Sequence, residues 1–197
     1  KLEVKQYHGY EIKDEFSWVH QKNILEVLKD SSKLNPEVRK YLEEENAYTK
    51  YKMKDAEKFQ KKLFKEIKGR IKLDDESLPF FYKKDGWKYW TKTTKENNYS
   101  IQLRKKIGGG KEKAEEYWNG DKEKNKLGAS YFGIGDLSIS HDHSLLGYSL
   151  DLNGSEYYTI YVRRIADEQI ITEKIENTSG GITFSKDSKY IFYSLLN

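Results

Sequence analysis

The spacing of apolar and polar positions changes near residue 74. Between Asn35 and Gly69, apolar residues recur three or four positions apart, which is the spacing of one face of an α-helix. From Leu78 onward, apolar and polar residues alternate, and turn signals rich in Gly, Asn or Asp separate short runs. The pattern therefore predicts an α-helical arm over residues 1–74 and a β-rich region over residues 75–197, a mostly β fold.

The arm carries clear helix signals. Asn35 is a good N-cap, Pro36 suits the first helical position, and Glu37 places negative charge in the first turn. The stripe expected to be buried in this helix comprises Val38, Tyr41, Leu42, Glu45 and Tyr48 or Thr49. A second helix is expected after Asp55, with Ala56, Phe59, Leu63 and Ile67 on one face and Gly69 as its C-cap. A shorter helix is expected within 18–28.

Two stretches near the C-terminus are copies of one another. Residues 137–149 and 182–194 both read strand, Ser-x-Asp turn, aromatic strand, and their aspartates, Asp142 and Asp187, lie 45 residues apart. A repeat of that length with four short strands is typical of a propeller blade. We expect both aspartates to accept hydrogen bonds from backbone N–H groups one to three residues further on.

The repeat predicts about two and a third blades. Blade one is expected over 78–127, with strands at 78–82, 87–93, 99–105 and 115–118, a turn at 84–86 and a Gly- and Lys-rich loop at 108–127. Blade two is expected over 132–175, with strands at 136–140, 145–151, 157–163 and 169–174 and a hairpin turn at Asn153-Gly154. Blade three is expected to start at 180 and to be cut short at Asn197, which makes the propeller incomplete.

Charge and composition exclude several functions. The net charge of +4 is small, and the whole excess lies in residues 1–74, with 18 basic and 14 acidic residues. Because Glu43, Glu44 and Glu45 interrupt any basic stripe, no nucleic-acid partner is expected. No apolar run is long enough to cross a bilayer, so no membrane partner is expected. Cysteine is absent, which excludes disulfides and thiolate metal sites.

A search for catalytic groups yields no candidate. No serine lies in a G-x-S-x-G elbow: Ser130 and Ser155 each follow a glycine but lack the second one. The four histidines are His8, His20, His141 and His143. No catalytic residue is therefore assigned, and we expect the chain to be inactive alone.

Metal and cofactor motifs are equally weak. His141-Asp142-His143 could ligate a metal, but the repeat has Lys186-Asp187-Ser188 there, so a turn is favoured. The run 108–111 lacks the spacing of a phosphate-binding loop, and Gly133-x-Gly135 lacks the third glycine of a dinucleotide motif. Residues 74–76 form an acidic cluster. We interpret it either as an exposed linker or as a group of carboxylates that attracts Lys- or Arg-containing peptides. No metal or cofactor is predicted.

Four segments carry a family resemblance. Residues 41–49 (YLEEENAYT), 66–72 (EIKGRIK), 154–160 (GSEYYTI) and 177–182 (NTSGGI) closely resemble the oligopeptidase B (protease II) branch of the prolyl oligopeptidase family of serine peptidases. The similarity runs from about Asp14 to the end. It implies a seven-bladed propeller that caps an α/β-hydrolase domain, activity on short peptides after Lys or Arg, and a cytoplasmic location. It also implies that the Ser, Asp and His triad lies in the hydrolase domain, which this chain lacks.

The expected function follows from this resemblance. The chain is interpreted as the non-catalytic N-terminal part of such a peptidase, in which the arm packs on the hydrolase domain and the propeller admits only short peptides. Its expected partners are that domain and short basic peptides. Two alternatives remain open: a free-standing interaction module that adds a strand at its blade edge, and an inactive remnant of a truncated gene. An exposed blade edge also predicts self-association.

Overall fold

The chain divides into two compact units, Lys1–Arg70 and Ile71–Asn197. A computed structural model describes residues 1–81, 86–108 and 113–196. In this part of the chain, no helix combines the length and the apolar character that a bilayer span requires.

The first unit begins with a β-hairpin that the hydrophobic pattern does not predict. Strands β1 (Glu3–Tyr7) and β2 (Tyr10–Asp14) pair antiparallel. His8 and Gly9 both have positive φ, 49° and 83°, as a two-residue hairpin turn requires. The strands lie almost wholly at the surface, so they lack the buried apolar face by which a half-buried strand is recognised.

Three α-helices follow: α1 (Ile24–Lys29), α2 (Pro36–Met53) and α3 (Glu57–Gly69). The Asn35 cap is confirmed, since its side-chain oxygen accepts a hydrogen bond from the Glu37 N–H at 2.8 Å. The helix expected within 18–28 is correct only for its second half, because a 3-10 turn occupies Ser17–Val19. The Gly69 cap is wrong: Gly69 is still helical, and Arg70 ends the helix in a right-handed conformation.

The expected buried stripe of the arm is largely wrong for this unit. Val38 is the buried member, at 2% exposure. Tyr41 is half-buried against Trp18, with ring centroids 5.3 Å apart. The other large apolar positions of the two stripes are exposed: Leu42, Tyr48, Phe59, Leu63 and Ile67. Helix spacing therefore identified an apolar face that the unit itself leaves uncovered.

Blade one has the predicted strands, shifted by a few residues. They are β3 (Asp75–Glu76), β4 (Phe80–Phe81), β5 (Trp87–Thr93), β6 (Ile101–Lys106) and β7 (Glu115–Asn119). Both β3 and β4 pair with β5, and the order continues to β6 and β7. The linker interpretation of 74–76 is corrected, because Asp75 and Glu76 pair with the far end of β5. In the turn predicted at 84–86, residues 84 and 85 lie outside the described part.

The loop predicted over 108–127 is wrong for residues 120–127, whereas the strand predicted within that stretch at 115–118 is present. Residues 115–119 form β7, and α4 (Gly120–Leu127) follows directly. The Asn119 side chain caps α4 by accepting a hydrogen bond from the Lys122 N–H at 3.2 Å. Gly128, with φ of 60°, ends the helix in the left-handed conformation. Residues 109–112 of the predicted loop lie outside the described part.

Blade two is a four-stranded antiparallel sheet in the order β11, β10, β9, β8. Its strands are β8 (Gly133–Ile139), β9 (Leu145–Asp151), β10 (Tyr158–Arg164) and β11 (Ile175–Thr178). The fourth strand predicted at 169–174 is wrong: Ile170 forms a single bridge to Arg163, and the strand lies further on. Glu173 and Lys174, just before β11, are both charged, so no apolar alternation marked where this strand begins.

The hairpin turn predicted at Asn153-Gly154 is confirmed as the connection between β9 and β10, which pair antiparallel, but the loop is longer than these two residues. Residues 152–157 form a longer loop between β9 and β10. The Asp151 carboxylate organises it by accepting hydrogen bonds from the N–H groups of Asn153, Gly154 and Glu156, at 2.9, 3.0 and 2.8 Å. A buried side chain, rather than the Asn-Gly step, therefore sets this connection.

Blade three begins as expected. Strands β12 (Thr183–Phe184) and β13 (Ile191–Phe192) form an antiparallel pair, and a further bridge joins Thr178 to Leu195. The described sheets thus form a partial propeller, with two blades and the start of a third.

The main core lies between blades one and two. Seven buried side chains form it: Tyr89, Trp118, Phe132, Ile139, Leu146, Tyr148 and Leu150. The rings of Trp118 and Tyr148 lie 4.9 Å apart across the blade boundary. Because β9 alternates, its even-numbered residues face blade one, and Gly147 and Ser149 face blade three.

Candidate functional site

The two Ser-x-Asp turns have the same hydrogen bonds. The carboxylates of Asp142 and Asp187 each accept the hydroxyl of the serine two residues earlier, at 2.6 Å. Each also accepts the backbone N–H two residues later, at 3.1 and 3.2 Å. The left-handed residue is His143 in one turn, φ 62°, and Ser188 in the other, φ 61°. The predicted equivalence of the two turns is confirmed.

These hydrogen bonds set the ionisation of both aspartates. Burial raises the pKa of Asp142, but the bonds from Ser140 and Ser144 outweigh it and hold that pKa below its usual range. The hydroxyl of Ser185 likewise lowers the pKa of Asp187. Both carboxylates are therefore acceptors within their turns. In the described part of the chain, no group of three or more His, Asp or Glu side chains is arranged to hold a metal ion.

His143 joins blade two to blade one. Its Nδ1 lies 2.7 Å from the Tyr89 hydroxyl, and its ring stacks on Trp87 with centroids 6.0 Å apart. Arg104 donates to the His143 carbonyl at 2.6 Å, lies over Trp87 and pairs with Glu115 at 2.8 Å. The structure thus uses this histidine, one of the four in the chain, as an anchor between blades.

The remaining candidate motifs have structural explanations. Ser155 is buried in the loop that Asp151 organises, 3.4 Å from that carboxylate. Ser130 is exposed between α4 and β8. A Cβ on Gly135 would lie 2.5 Å from Ser149 Oγ, so this glycine permits close packing inside blade two.

The acidic cluster lines an open groove of about 470 Å³ in blade one. The groove is lined by Lys72, Asp74, Asp75, Glu76, Lys92, Thr93 and Thr94. Lys72 pairs with Asp75 at 2.6 Å and lowers the pKa of that carboxyl, and Lys92 pairs with Glu76 at 3.2 Å. Asp74 accepts the backbone N–H of Lys95 at 3.0 Å. Since these carboxylates have partners within the blade, the groove offers little unbalanced negative charge to a basic peptide.

A buried ion pair that the sequence does not reveal fastens α4 to blade two. Arg163 on β10 lies 2.5 Å from Glu123 on α4, and both side chains are almost fully buried. Arg163 also donates to the Tyr117 carbonyl at 3.1 Å and lies over the rings of Trp118 and Tyr148. Forty residues separate the two charges, so no local spacing could have paired them.

Polar contacts connect blade two to blade three. The Ile182 N–H donates to the Asp136 carboxylate at 2.9 Å, and the Ser149 hydroxyl donates to the Gly180 carbonyl at 2.7 Å. Gly180 and Ile182 lie in the connection between β11, the last strand of blade two, and β12, the first strand of blade three. The two hydrogen bonds hold the new blade against its predecessor.

Close packing completes the same interface. A Cβ on Gly147 would lie 3.1 Å from Ile182 and 3.2 Å from Phe184, so glycine lets these side chains approach the backbone of β9. Ile182 and Phe184 are buried there. The two Ser-x-Asp turns also contact each other, because the Asp142 N–H of blade two donates to the Ser188 hydroxyl of blade three at 3.0 Å.

Blade three presents an uncovered surface on its other side. We call it the blade-three face: Tyr190, Phe192 and Ser194, which alternate along the second strand of that blade. Tyr190 is 66% exposed and Phe192 64% exposed. Large exposed aromatic side chains beside a two-stranded sheet mark an interaction surface. This face is the candidate functional site of the described chain.

Fold and site define a class of protein: an incomplete β-propeller whose polar clusters serve contacts between blades. A family model described as "Prolyl oligopeptidase, N-terminal beta-propeller domain" matches residues 1–197. The chain belongs to this family. The resemblance to oligopeptidase B noted in the sequence is confirmed by the relatives below.

Two curated relatives cover nearly the whole chain. It is 32% identical over 202 residues to dipeptidyl aminopeptidase BI of Pseudoxanthomonas mexicana, covering 96% of this chain and 26% of that protein. It is 23% identical over 194 residues to protease 2 of Moraxella lacunata, again covering 96% and 26%. The chain therefore spans about a quarter of the length of the relatives that it matches.

Solved structures show the same fold. Oligopeptidase B from Leishmania major superposes with a TM-score of 0.75 at 24% identity, covering 95% of this chain and 25% of that one. Oligopeptidase B from Trypanosoma brucei, solved in a closed form with covalently bound antipain, gives the same values. The partial propeller is thus the start of a fold found in longer peptidases.

Proposed function

We propose that the chain is the non-catalytic N-terminal part of an oligopeptidase B-like serine endopeptidase. In this proposal the whole enzyme cleaves short peptides after Lys or Arg, in the cytoplasm. The α/β-hydrolase domain supplies the Ser, Asp and His triad, the arm packs against that domain, and the propeller excludes folded proteins.

Two findings carry this proposal. The family model matches residues 1–197, and the chain spans about a quarter of the relatives' length. The exposed apolar faces support it. In the arm, Phe59 is 64% and Phe64 68% exposed, and in blade three Phe192 is 64% exposed. Apolar side chains of this size favour burial by roughly 1.5–3 kcal/mol each. A larger assembly that covers them explains why they are apolar.

The test compares the 197-residue chain with the longer polypeptide that its natural gene encodes. We expect the longer polypeptide to hydrolyse short fluorogenic peptides that end in Arg or Lys, to spare matched peptides that end in Glu, and to spare folded protein substrates. We expect the chain alone to be inert. Fluorophosphonate-sensitive hydrolysis by the chain alone, or a gene that ends at Asn197, would contradict the proposal.

A second specificity is favoured by the relative with 32% identity, which is named as a dipeptidyl aminopeptidase. An enzyme of that kind removes dipeptides from a free N-terminus. Peptides with free and acetylated N-termini distinguish the two cases, because acetylation blocks an aminopeptidase and leaves an endopeptidase active.

A free-standing interaction module is the alternative from another class. It predicts a stable complex through the edge of blade three and no rescue of peptidase activity in a longer polypeptide. Self-association through residues 178–197 or the arm is expected for the chain alone. Light scattering over a range of concentrations measures it, and a monomer at high concentration that binds no hydrophobic dye would contradict it.

A further inference from the structure

Helix α3 separates its apolar and its basic residues onto opposite sides. Because an α-helix turns by about 100° per residue, its four large apolar side chains share one side: Phe59, Leu63, Phe64 and Ile67. Its five lysines share the opposite side, which we call the lysine face: Lys58, Lys61, Lys62, Lys65 and Lys68. Every residue of α3 is exposed. The lysine face extends for about 15 Å along the helix axis.

Nearby carboxylates do not balance the charge of the lysine face. Within the described part of the chain, none of its five lysines forms an ion pair with an Asp or Glu side chain. Glu66 borders the face and pairs with Arg70 instead. Five lysines against two glutamates give α3 a net charge of +3, compared with +4 for the whole chain. Most of the unbalanced charge of the protein therefore lies on one helix.

The lysines of this face repel one another. Lysines on successive turns lie three or four positions apart, and like charges at that spacing destabilise a helix. Other exposed cations have partners: Lys122 pairs with Glu116 at 2.6 Å, and Arg164 pairs with Asp167 at 3.0 Å. A negative partner that extends along α3 removes the repulsion.

We propose that the lysine face binds the surface of an anionic lipid bilayer. A cluster of about four to eight basic residues on an amphipathic helix is typical of helices that bind anionic lipid head groups. A straight helix lies along a flat surface, and the long lysine side chains bring their ammonium groups to it. The lack of an apolar run long enough to cross a bilayer excludes a spanning segment, not a helix that lies on the membrane surface.

The composition of the face favours lipid over nucleic acid. Its cations are all lysine, a mobile point charge that suits loosely ordered head groups, and it has no arginine to form paired hydrogen bonds with phosphates. It also has no aromatic residue on which a base could stack. Phe59 and Leu63 on the opposite side stay free for the hydrolase domain of the proposed function, so binding to lipid does not depend on that function.

Co-sedimentation of the 197-residue chain with lipid vesicles tests the proposal. The two vesicle types are phosphatidylcholine alone and a mixture of about 70% phosphatidylcholine with about 30% phosphatidylserine, which carries negative charge. We expect binding to the anionic vesicles to be at least about tenfold tighter. Raising the salt concentration from about 0.1 M to about 0.5 M should abolish this binding, because salt screens charges at the surface.

Two variants that lose the same charge locate the contact. Lys61→Gln/Lys65→Gln keeps residues of similar helix propensity and should weaken binding to the anionic vesicles at least about tenfold. Lys186→Gln/Lys189→Gln removes two exposed lysines at the Ser-x-Asp turn of blade three. This control should stay within about twofold of the unmodified chain, because the two lysines lie outside the lysine face. Circular dichroism should show the same helix content in all three proteins.

Three outcomes would overturn the proposal. The first is equal binding to both vesicle types, or equal losses in the two lysine variants. The second is binding that is lost in Phe59→Ser/Phe64→Ser but kept in Lys61→Gln/Lys65→Gln, which would assign the contact to the apolar side. The third is tighter binding to a double-stranded DNA fragment than to the anionic vesicles at equal charge concentration and salt, which would identify a nucleic acid as the partner.

Discussion

Blades two and three contain the same hairpin in two different environments. Tyr148 and Leu150 of blade two are buried, at 5% and 3% exposure. Their counterparts one repeat later, Tyr193 and Leu195, are 41% and 59% exposed. The turns that join the strands have matching hydrogen bonds, so the backbone does not cause this difference. Tyr148 and Leu150 lie on β9, which is a central strand between β8 and β10, whereas β13 pairs with β12 alone among the described strands, so the burial of this hairpin depends on the strands beside it.

Matched truncations in the two hairpins test this difference directly and belong, with the ion pair below, to the largest expected effects. Leu150→Ala removes a buried side chain and should lower the free energy of unfolding by about 2–5 kcal/mol. Leu195→Ala, at the equivalent exposed position, should change it by less than about 0.5 kcal/mol in the same chain. Urea denaturation of both variants measures the contrast. Equal losses would mean that blade three is already covered.

The buried ion pair of blade two has no counterpart in the described part of blade three. Arg163→Ala leaves Glu123 buried without its partner and should cost about 3–5 kcal/mol. The double variant Arg163→Met/Glu123→Leu removes both charges and should recover most of this loss. Arg164→Ala is the matched control, because Arg164 lies next to Arg163 but is exposed and pairs with Asp167 at the surface. Urea denaturation of the three variants and the unmodified chain provides the measurement.

Gly147→Ala tests how closely blade three packs on blade two. The added Cβ would lie 3.1 Å from Ile182 and 3.2 Å from Phe184, so these side chains must move. We expect a loss of about 1–3 kcal/mol from overpacking and faster amide exchange at Ile182. Gly181→Ala is the control, since a Cβ there meets nothing within 4 Å. Unchanged amide exchange at Ile182 would show that the side chains of this interface move aside easily, and it would contradict the prediction.

The smallest expected effect concerns the two aspartates in acid. Folding lowers the pKa of Asp142 and of Asp187, so the unfolded chain binds protons more readily at these groups. Their stabilising contribution is present above the unfolded pKa of about 3.9 and is lost as the pH falls through the folded values. Asp142→Asn and Asp187→Asn should each flatten the fall in stability below about pH 5. Denaturation curves from pH 3 to 7 measure it, and a steeper fall would contradict the assignment.

The sequence by itself determined the elements whose signals are local. The Asn35-Pro36 start of α2, the two Ser-x-Asp turns and most strands of the two blades follow from capping, turn chemistry and alternation, which act over a few residues. The repeat of 45 residues then specified the blades of a propeller. These features required no knowledge of distant contacts.

Only the tertiary structure decided which apolar and charged residues have partners. Leu42 and Phe59 fit a helical stripe but stay exposed, because helix periodicity marks a face and does not supply what covers it. Glu123 and Arg163 pair across 40 residues, and α4 occupies a stretch whose composition resembles a loop. Burial and ion pairing depend on atoms brought together by the whole chain, so the same Tyr and Leu pattern is buried in blade two and exposed in blade three.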